Sequence, residues 1–156
     1  MKTMQMWLDE YGESHRNPTN KTIHWICVPA ILFTVLGLLW LIPVPHAVGS
    51  ISPLLNWSTL LMALAVVYYL VLSPTLAVGM ALIAIAMFAG VHWVVMSSPI
   101  APWILFVGIF VAAWIGQFIG HKIEGKKPSF FKDLQFLLIG PAWLMAHAFR
   151  KAGIKI

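Results

Sequence analysis

Residues 22–121 contain no Asp, Glu, Lys or Arg: one hundred consecutive positions pass without a formal charge. A soluble domain carries about 25% charged residues, whereas this chain has 10%, all of them in the two flanking segments. That absence excludes a water-covered surface over most of the chain, and with it a soluble globular fold. Cysteine is nearly missing too. The lone Cys27 excludes a disulfide framework and a CxxC metal or redox pair, and reads as a small packing residue. There is no polar linker, low-complexity tract or internal repeat, so the 156 residues read as a single integral membrane domain, 1–156. The amino-terminal run MKTMQMWLDEYGESHRNPTNK has acidic residues where a signal peptide has its apolar core, so the first hydrophobic helix is expected to be retained.

The charge that is present is unevenly placed. Of ten basic residues, three lie in the first 21 positions and seven follow the apolar block, giving a net charge of +5. In a membrane protein this pattern marks the cytoplasmic leaflet, and no nucleic-acid partner is expected.

Prolines with Ser, Gly and Asn around them interrupt the apolar block at Pro43-Val44-Pro45, at 49–53, at Ser73-Pro74 and at 97–102. Four spans remain, 18–42, 54–72, 75–96 and 102–120, each close to the ~20 residues that cross a ~30 Å hydrocarbon core. Ser73-Pro74 reads as a turn, because 54–96 as one helix would extend roughly 64 Å. The first span has a strong start: Asn17 suits the N-cap and Pro18 the first helical position. Pro29 is expected to kink that helix. The connections 43–53 and 97–101 are uncharged, whereas the segment 1–21 and Lys122, Lys126, Lys127 and Lys132 are basic. Both termini are therefore expected on the cytoplasmic side, of an inner membrane in a bacterium or of the endoplasmic reticulum in a eukaryote. The last segment, 129–151, is apolar but interrupted at Gly140-Pro141 into halves too short to span. The predicted fold class is an all-α polytopic membrane bundle: four transmembrane helices plus a broken re-entrant or interfacial C-terminal helix pair.

This topology sorts the six histidines by depth. His46 and His92 fall toward the outer face. His15, His24 and His121 fall at the cytoplasmic boundary, and His147 joins them if the last segment folds back. Imidazoles near a bilayer need partners, and neutral nitrogens converging on a divalent cation satisfy one another. Nitrogen ligands without thiolates favour iron, zinc or a similar first-row metal. The candidate ligands are His15, His24, His121 and His147. Asn20 and Lys21 share a helix face with His24, and Gln117 and Glu124 share one with His121. Asn20, Gln117 and Glu124 are candidates to orient the ligands, although polar groups at helix ends also simply meet water. Arg16 and Lys21 are candidates to steer an anionic headgroup, although topology alone places basic residues there.

The run His15-Arg16-Asn17-Pro18-Thr19-Asn20-Lys21-Thr22-Ile23-His24, followed by Val28-Pro29, is one half of a pattern. Trp114-Ile115-Gly116-Gln117-Phe118-Ile119-Gly120-His121, with a basic stretch ending in Pro128, is the other. Together they resemble the family of membrane 2-hydroxy fatty acid dioxygenases of phytosphingosine metabolism. The resemblance spans nearly the whole chain, with both motifs in the family's order. It implies an Fe(2+)-dependent multipass enzyme that uses dioxygen to remove the carboxyl carbon of a long-chain 2-hydroxy fatty acid, with no organic cofactor. His15, His24 and His121 fall on the family's motif histidines. His147 departs from the pattern, because family members often carry Glu six residues after the proline matching Pro141. Two alternatives stay open on the residues alone: another metal-dependent lipid hydroxylase or hydrolase, and a non-catalytic lipid-binding membrane module. Zinc is expected to compete for the same nitrogens.

Overall fold

A computed structural model describes residues 2–131 and 135–156, and the described residues are helical without a strand. In chain order the helices are α1 (Met4–Gly12), α2 (Pro18–Trp40), α3 (His46–Gly49), α4 (Trp57–Leu72), α5 (Pro74–Ser97), α6 (Pro102–Glu124) and α7 (Phe136–Lys151), with a 3-10 turn at Ser129–Phe131. Lys132, one of the residues expected on the cytoplasmic side, lies outside the described residues.

Local chemistry sets the boundaries. The Asn17 side chain accepts from the backbone N–H groups of Thr19 and Asn20, and Pro18 opens α2 without a donor to satisfy. Asn56 caps α4 and Ser73 caps α5 in the same manner. Ser73 is extended, at φ −163° and ψ 109°, so Ser73-Pro74 separates two helices. α6 ends at Gly125, whose φ of 72° is the left-handed conformation that glycine adopts most easily.

Three helices, α2, α5 and α6, are long and apolar enough to cross a membrane. α4 is equally apolar, but its 16 residues extend only about 24 Å, short of a ~30 Å core. Leu64, Val71, Val78, Leu82, Ile85 and Ile115 are each more than half exposed. That much exposed aliphatic surface suits lipid and not water.

The α2–α6 seam positions the candidate site. A Cβ on Gly116 would stand 2.7 Å from Cys27 Sγ, and one on Gly120 would overlap Asn20 Oδ1. The two glycines, one turn apart, thus let the α6 backbone approach α2 where larger residues would hold it off. At the opposite end of α2, a Cβ on Gly37 would meet the ring of Phe106 at 2.5 Å.

α1 and α7 form a second layer at one end of the bundle. Met4, Trp7, Leu8 and Tyr11, at helical spacing, bury one face of α1 in a cluster with Phe136, Ile139, Ala142 and Ala146 of α7 and with Tyr69, Leu76 and Met80. The expected break at Gly140-Pro141 does not occur: α7 is one helix with Pro141 inside it. Proline in a helix interior removes a backbone hydrogen bond, but here the packing on both sides overrides the local breaker. The Tyr69 hydroxyl donates to the Leu138 carbonyl at 2.7 Å, supporting the turn before Pro141.

Candidate metal centre

His15 lies in the turn between α1 and α2, His24 in the second turn of α2, and His121 near the end of α6. All three are buried, at 1%, 1% and 5% exposure. One ligand atom from each lies within 4.8 Å of the other two. The ring centroids are 4.3 Å apart for His15 and His24, 5.1 Å for His15 and His121, and 4.9 Å for His24 and His121.

Hydrogen bonding sets the protonation of two rings. His15 Nδ1 donates to the Tyr11 carbonyl at 2.6 Å, and His24 Nδ1 donates to the Asn20 carbonyl at 2.9 Å. With the proton held on Nδ1, the Nε2 of a neutral imidazole is a bare lone pair. Those two Nε2 atoms face each other at 2.9 Å. Two lone pairs at hydrogen-bond distance repel unless a cation or a shared proton lies between them. The separation also suits two nitrogens bound at right angles to one ion, about 3 Å apart for metal–nitrogen bonds of about 2.1 Å. The third ring adds a further free acceptor or donor, since His121 Nδ1 is buried without a partner among the described residues. The donor set therefore fits a first-row divalent metal held by three imidazoles. Burial, followed by the neighbouring His24, pushes the His15 pKa down to about 3, so its ring is neutral at physiological pH.

Glu124, a candidate to orient the ligands, holds the His15 turn. Its carboxylate accepts from the Arg16 N–H at 2.8 Å, the Asn17 N–H at 2.9 Å and Asn20 Nδ2 at 3.1 Å. Asn20 is fully buried, and its amide also donates to the Ser14 carbonyl at 3.1 Å. The Asn20 backbone holds His24 while its side chain ties the turn to α6. The Arg16 side chain is exposed and that of Lys21 half-buried, and neither lines the cavity described below.

The structure does not bring His147 into this group. Its exposed ring lies 5.9 Å from Trp25 and 6.3 Å from Trp143, while Trp143 lies 5.5 Å from His15 on its other side. The unbroken course of α7 explains the placement. His147 is seven residues past Gly140, where α7 meets Tyr11, and so about 10 Å farther along the axis.

Tyr11 has a part in the site that sequence reasoning missed. Its carbonyl anchors His15, its ring stacks on the His15 imidazole at 4.1 Å and 12°, and burial raises its phenol pKa above the usual range. Its spacing from His15, four residues, was the available signal.

Beside the histidines lies a cavity of about 450 Å³. His24, Val28, Leu32 and Val35 line it from α2, and His121, Gln117, Trp114 and Phe110 from α6, with Leu137 and Leu138 of α7 opposite. No Asp, Glu, Lys or Arg lines it among the described residues. An amphiphile would fit with its polar end at the histidines and its tail along the helices.

A family model described as 2-hydroxy-palmitic acid dioxygenase Mpo1-like matches residues 1–152. The chain is 30% identical over 146 residues to the 2-hydroxy-palmitic acid dioxygenase MPO1 of Saccharomyces cerevisiae, an alignment covering 92% of this chain and 78% of the yeast protein. No solved structure matches the chain.

Proposed function

The chain belongs to the Mpo1-like family, and on that premise we propose that it is an iron(II)-dependent membrane dioxygenase that shortens long-chain 2-hydroxy fatty acids by one carbon. The observation that carries the reading is the meeting of three buried imidazoles, two with proton-free Nε2 atoms, at one end of an apolar cavity. His15, His24 and His121 are the proposed ligands. Ferrous iron held by them would supply a Lewis-acidic, redox-active centre for the 2-hydroxy acid and dioxygen.

The overall reaction balances without a further reductant. The bond between the carboxyl carbon and C2 breaks, C2 is oxidised to the carboxyl level, and the old carboxyl carbon leaves as carbon dioxide. The four electrons removed reduce one dioxygen, whose atoms are accounted for in the shortened acid, carbon dioxide and one water.

The protein's own groups hold this chemistry in place. The Tyr11 and Asn20 carbonyls keep the protons of His15 and His24 on Nδ1, away from the metal side. Glu124 and Asn20 brace the turn that carries His15. The cavity takes the acyl chain and excludes water. Along α2 it runs from His24 to Val35, about 16 Å at helical rise, close to the depth of one leaflet of a ~30 Å core. With α4 as a fourth crossing and both termini cytoplasmic, the histidines stand at the inner boundary of the bilayer. A headgroup can reach the metal there while its tail stays in hydrocarbon. Arg16 and Lys21 at the same level attract the anionic substrate to the surface.

Anaerobic purification, iron reconstitution and oxygen-uptake measurement with 2-hydroxypalmitate test the reading. Bound iron, oxygen uptake and the acid one carbon shorter are expected. Iron-reconstituted protein that consumes no oxygen, beside a zinc form that hydrolyses lipid, would favour a hydrolase. His121→Ala with unchanged metal content and turnover would remove the proposed centre altogether.

A further inference from the structure

Three polar atoms of residues that line the cavity, His121 Nδ1, Gln117 Oε1 and Ser129 Oγ, are buried without a hydrogen-bond partner among the described residues, and Tyr11 lines the same cavity. Gln117, Ser129 and Tyr11 are 6%, 5% and 6% exposed, and all three line the cavity. Leaving a buried polar group unpaired costs on the order of 1–3 kcal/mol, so three beside one metal site call for a ligand that completes them. The phenol is held in place: its ring stacks on His15 and lies 5.6 Å from Trp143 and 6.0 Å from Phe136. A Cβ on Gly140 would stand only 3.0 Å from the phenol oxygen, so the glycine leaves that oxygen its room.

We propose that Tyr11, Gln117 and Ser129 form an uncharged cradle for the substrate headgroup, and that the Gln117 carboxamide selects for the 2-hydroxyl. The inference rests on the dioxygenase reading and deepens it. The Tyr11 and Ser129 hydroxyls donate to the carboxylate. Gln117 stands one turn before His121 on α6 and offers both an acceptor and donors. A 2-hydroxyl can give its proton to that acceptor, whereas the plain fatty acid leaves it unpaired. Sites built to hydrogen-bond a substrate hydroxyl reject the analogue that lacks it far more strongly than apolar pockets reject a size change. The cradle also explains how an anionic headgroup is held where no lysine or arginine among the described residues lines the cavity: three neutral imidazoles would leave a metal's full charge to meet the carboxylate, and neutral donors complete it. Gln117 is thereby a substrate contact and not a partner of His121.

The test is equilibrium binding of 2-hydroxypalmitate and of palmitate to iron-loaded protein in detergent, kept free of dioxygen so that no turnover occurs. The wild-type chain is expected to prefer 2-hydroxypalmitate. Tyr11→Phe, which keeps the stack on His15, and Ser129→Ala should each weaken binding of both acids about tenfold, the loss of one hydrogen bond to a charged group. Gln117→Met should erase the preference between the two acids with iron content unchanged. Because that preference is a ratio measured on one sample, partial unfolding does not alter it. A Gln117→Met protein that keeps the wild-type preference, or one that loses its iron, overturns the cradle while leaving the dioxygenase reading intact. A wild-type protein that binds both acids equally overturns that reading as well.

Discussion

His15 and His24 direct their Nε2 atoms at each other across 2.9 Å while each gives its Nδ1 proton to a carbonyl four residues back. The arrangement opposes two lone pairs in a buried site, and a divalent cation relieves it. Metal is therefore expected to stabilise the fold. At a free metal concentration one hundred times its Kd the gain is about 2.7 kcal/mol, so chelation should lower Tm by several degrees. His24→Ala should bind less than a tenth of the wild-type metal, and its Tm should no longer respond to the chelator. A chelator-sensitive Tm in His24→Ala would place the metal elsewhere.

Acid should release the site through His15. Its folded pKa lies near 3, below the ordinary 6.5, so between those values the unfolded chain binds a proton that the folded chain does not. The stability contributed by the neutral ring is thus complete above pH 6.5 and is lost as pH falls toward 3, by up to about 1.4 kcal/mol per pH unit. Tm and bound metal measured from pH 7.5 to pH 5 should fall together. A flat profile would mean that His15 accepts its proton freely in the folded state.

Glu124→Gln keeps the shape of the brace while removing its charge. The Arg16 and Asn17 N–H groups lose a charge-assisted acceptor, worth roughly 1.5–3 kcal/mol for such a bond. Faster amide exchange at Arg16 and Asn17 and a metal affinity about tenfold weaker are expected, since groups that orient ligands carry effects of this size. Unchanged exchange at those two amides would show that the turn holds without the carboxylate.

The α2–α6 seam separates two glycine substitutions by sign. Gly120→Ala drives a methyl into Asn20 Oδ1 and should cost about 1–3 kcal/mol, with weakened metal binding because Asn20 carries His24. Gly108→Ala, on the same helix with nothing within 4 Å of the added carbon, should be neutral or stabilising by up to about 1 kcal/mol. Thermal denaturation of the two variants checks the contrast, and equal effects would remove the seam from the account.

Chain length should be read at the far end of the cavity. Val35→Trp fills the space about 16 Å from His24 and should shift the preferred substrate toward shorter 2-hydroxy acids while leaving iron content unchanged. An unaltered chain-length profile would mean that the acyl tail leaves the cavity sideways into lipid before reaching Val35.

The helix ends were the most legible part of the molecule. Asn17-Pro18, Ser73-Pro74 and Pro102 act through contacts within a few residues, and local chemistry of that kind is written directly in sequence, whereas the start expected at residue 54 lies at Trp57, behind the Asn56 cap. His24 and His121 were legible as a pair because they close the two ends of the uncharged block. Pro141 misled for a physical reason: its cost is local, but the contacts that support the continuous α7 around it come from Tyr11 and Tyr69, far away in the chain. His147 went astray with it, since its position depends on the course of α7. The close approach at Gly116 and Gly120 was present as a four-residue spacing, yet its partner surface on α2 becomes visible only once the helices are packed.

The brace from Glu124 to the turn at Arg16 and Asn17 also has a consequence for biogenesis. The turn that carries His15 leaves the ribosome early, but the carboxylate that steadies it and the imidazole of His121 both arrive only when α6 is complete. Until then, of the three clustered imidazoles, the nascent chain carries only His15 and His24. On the proposed reading, a metal held by all three imidazoles would therefore be loaded late, only after α6 has been made.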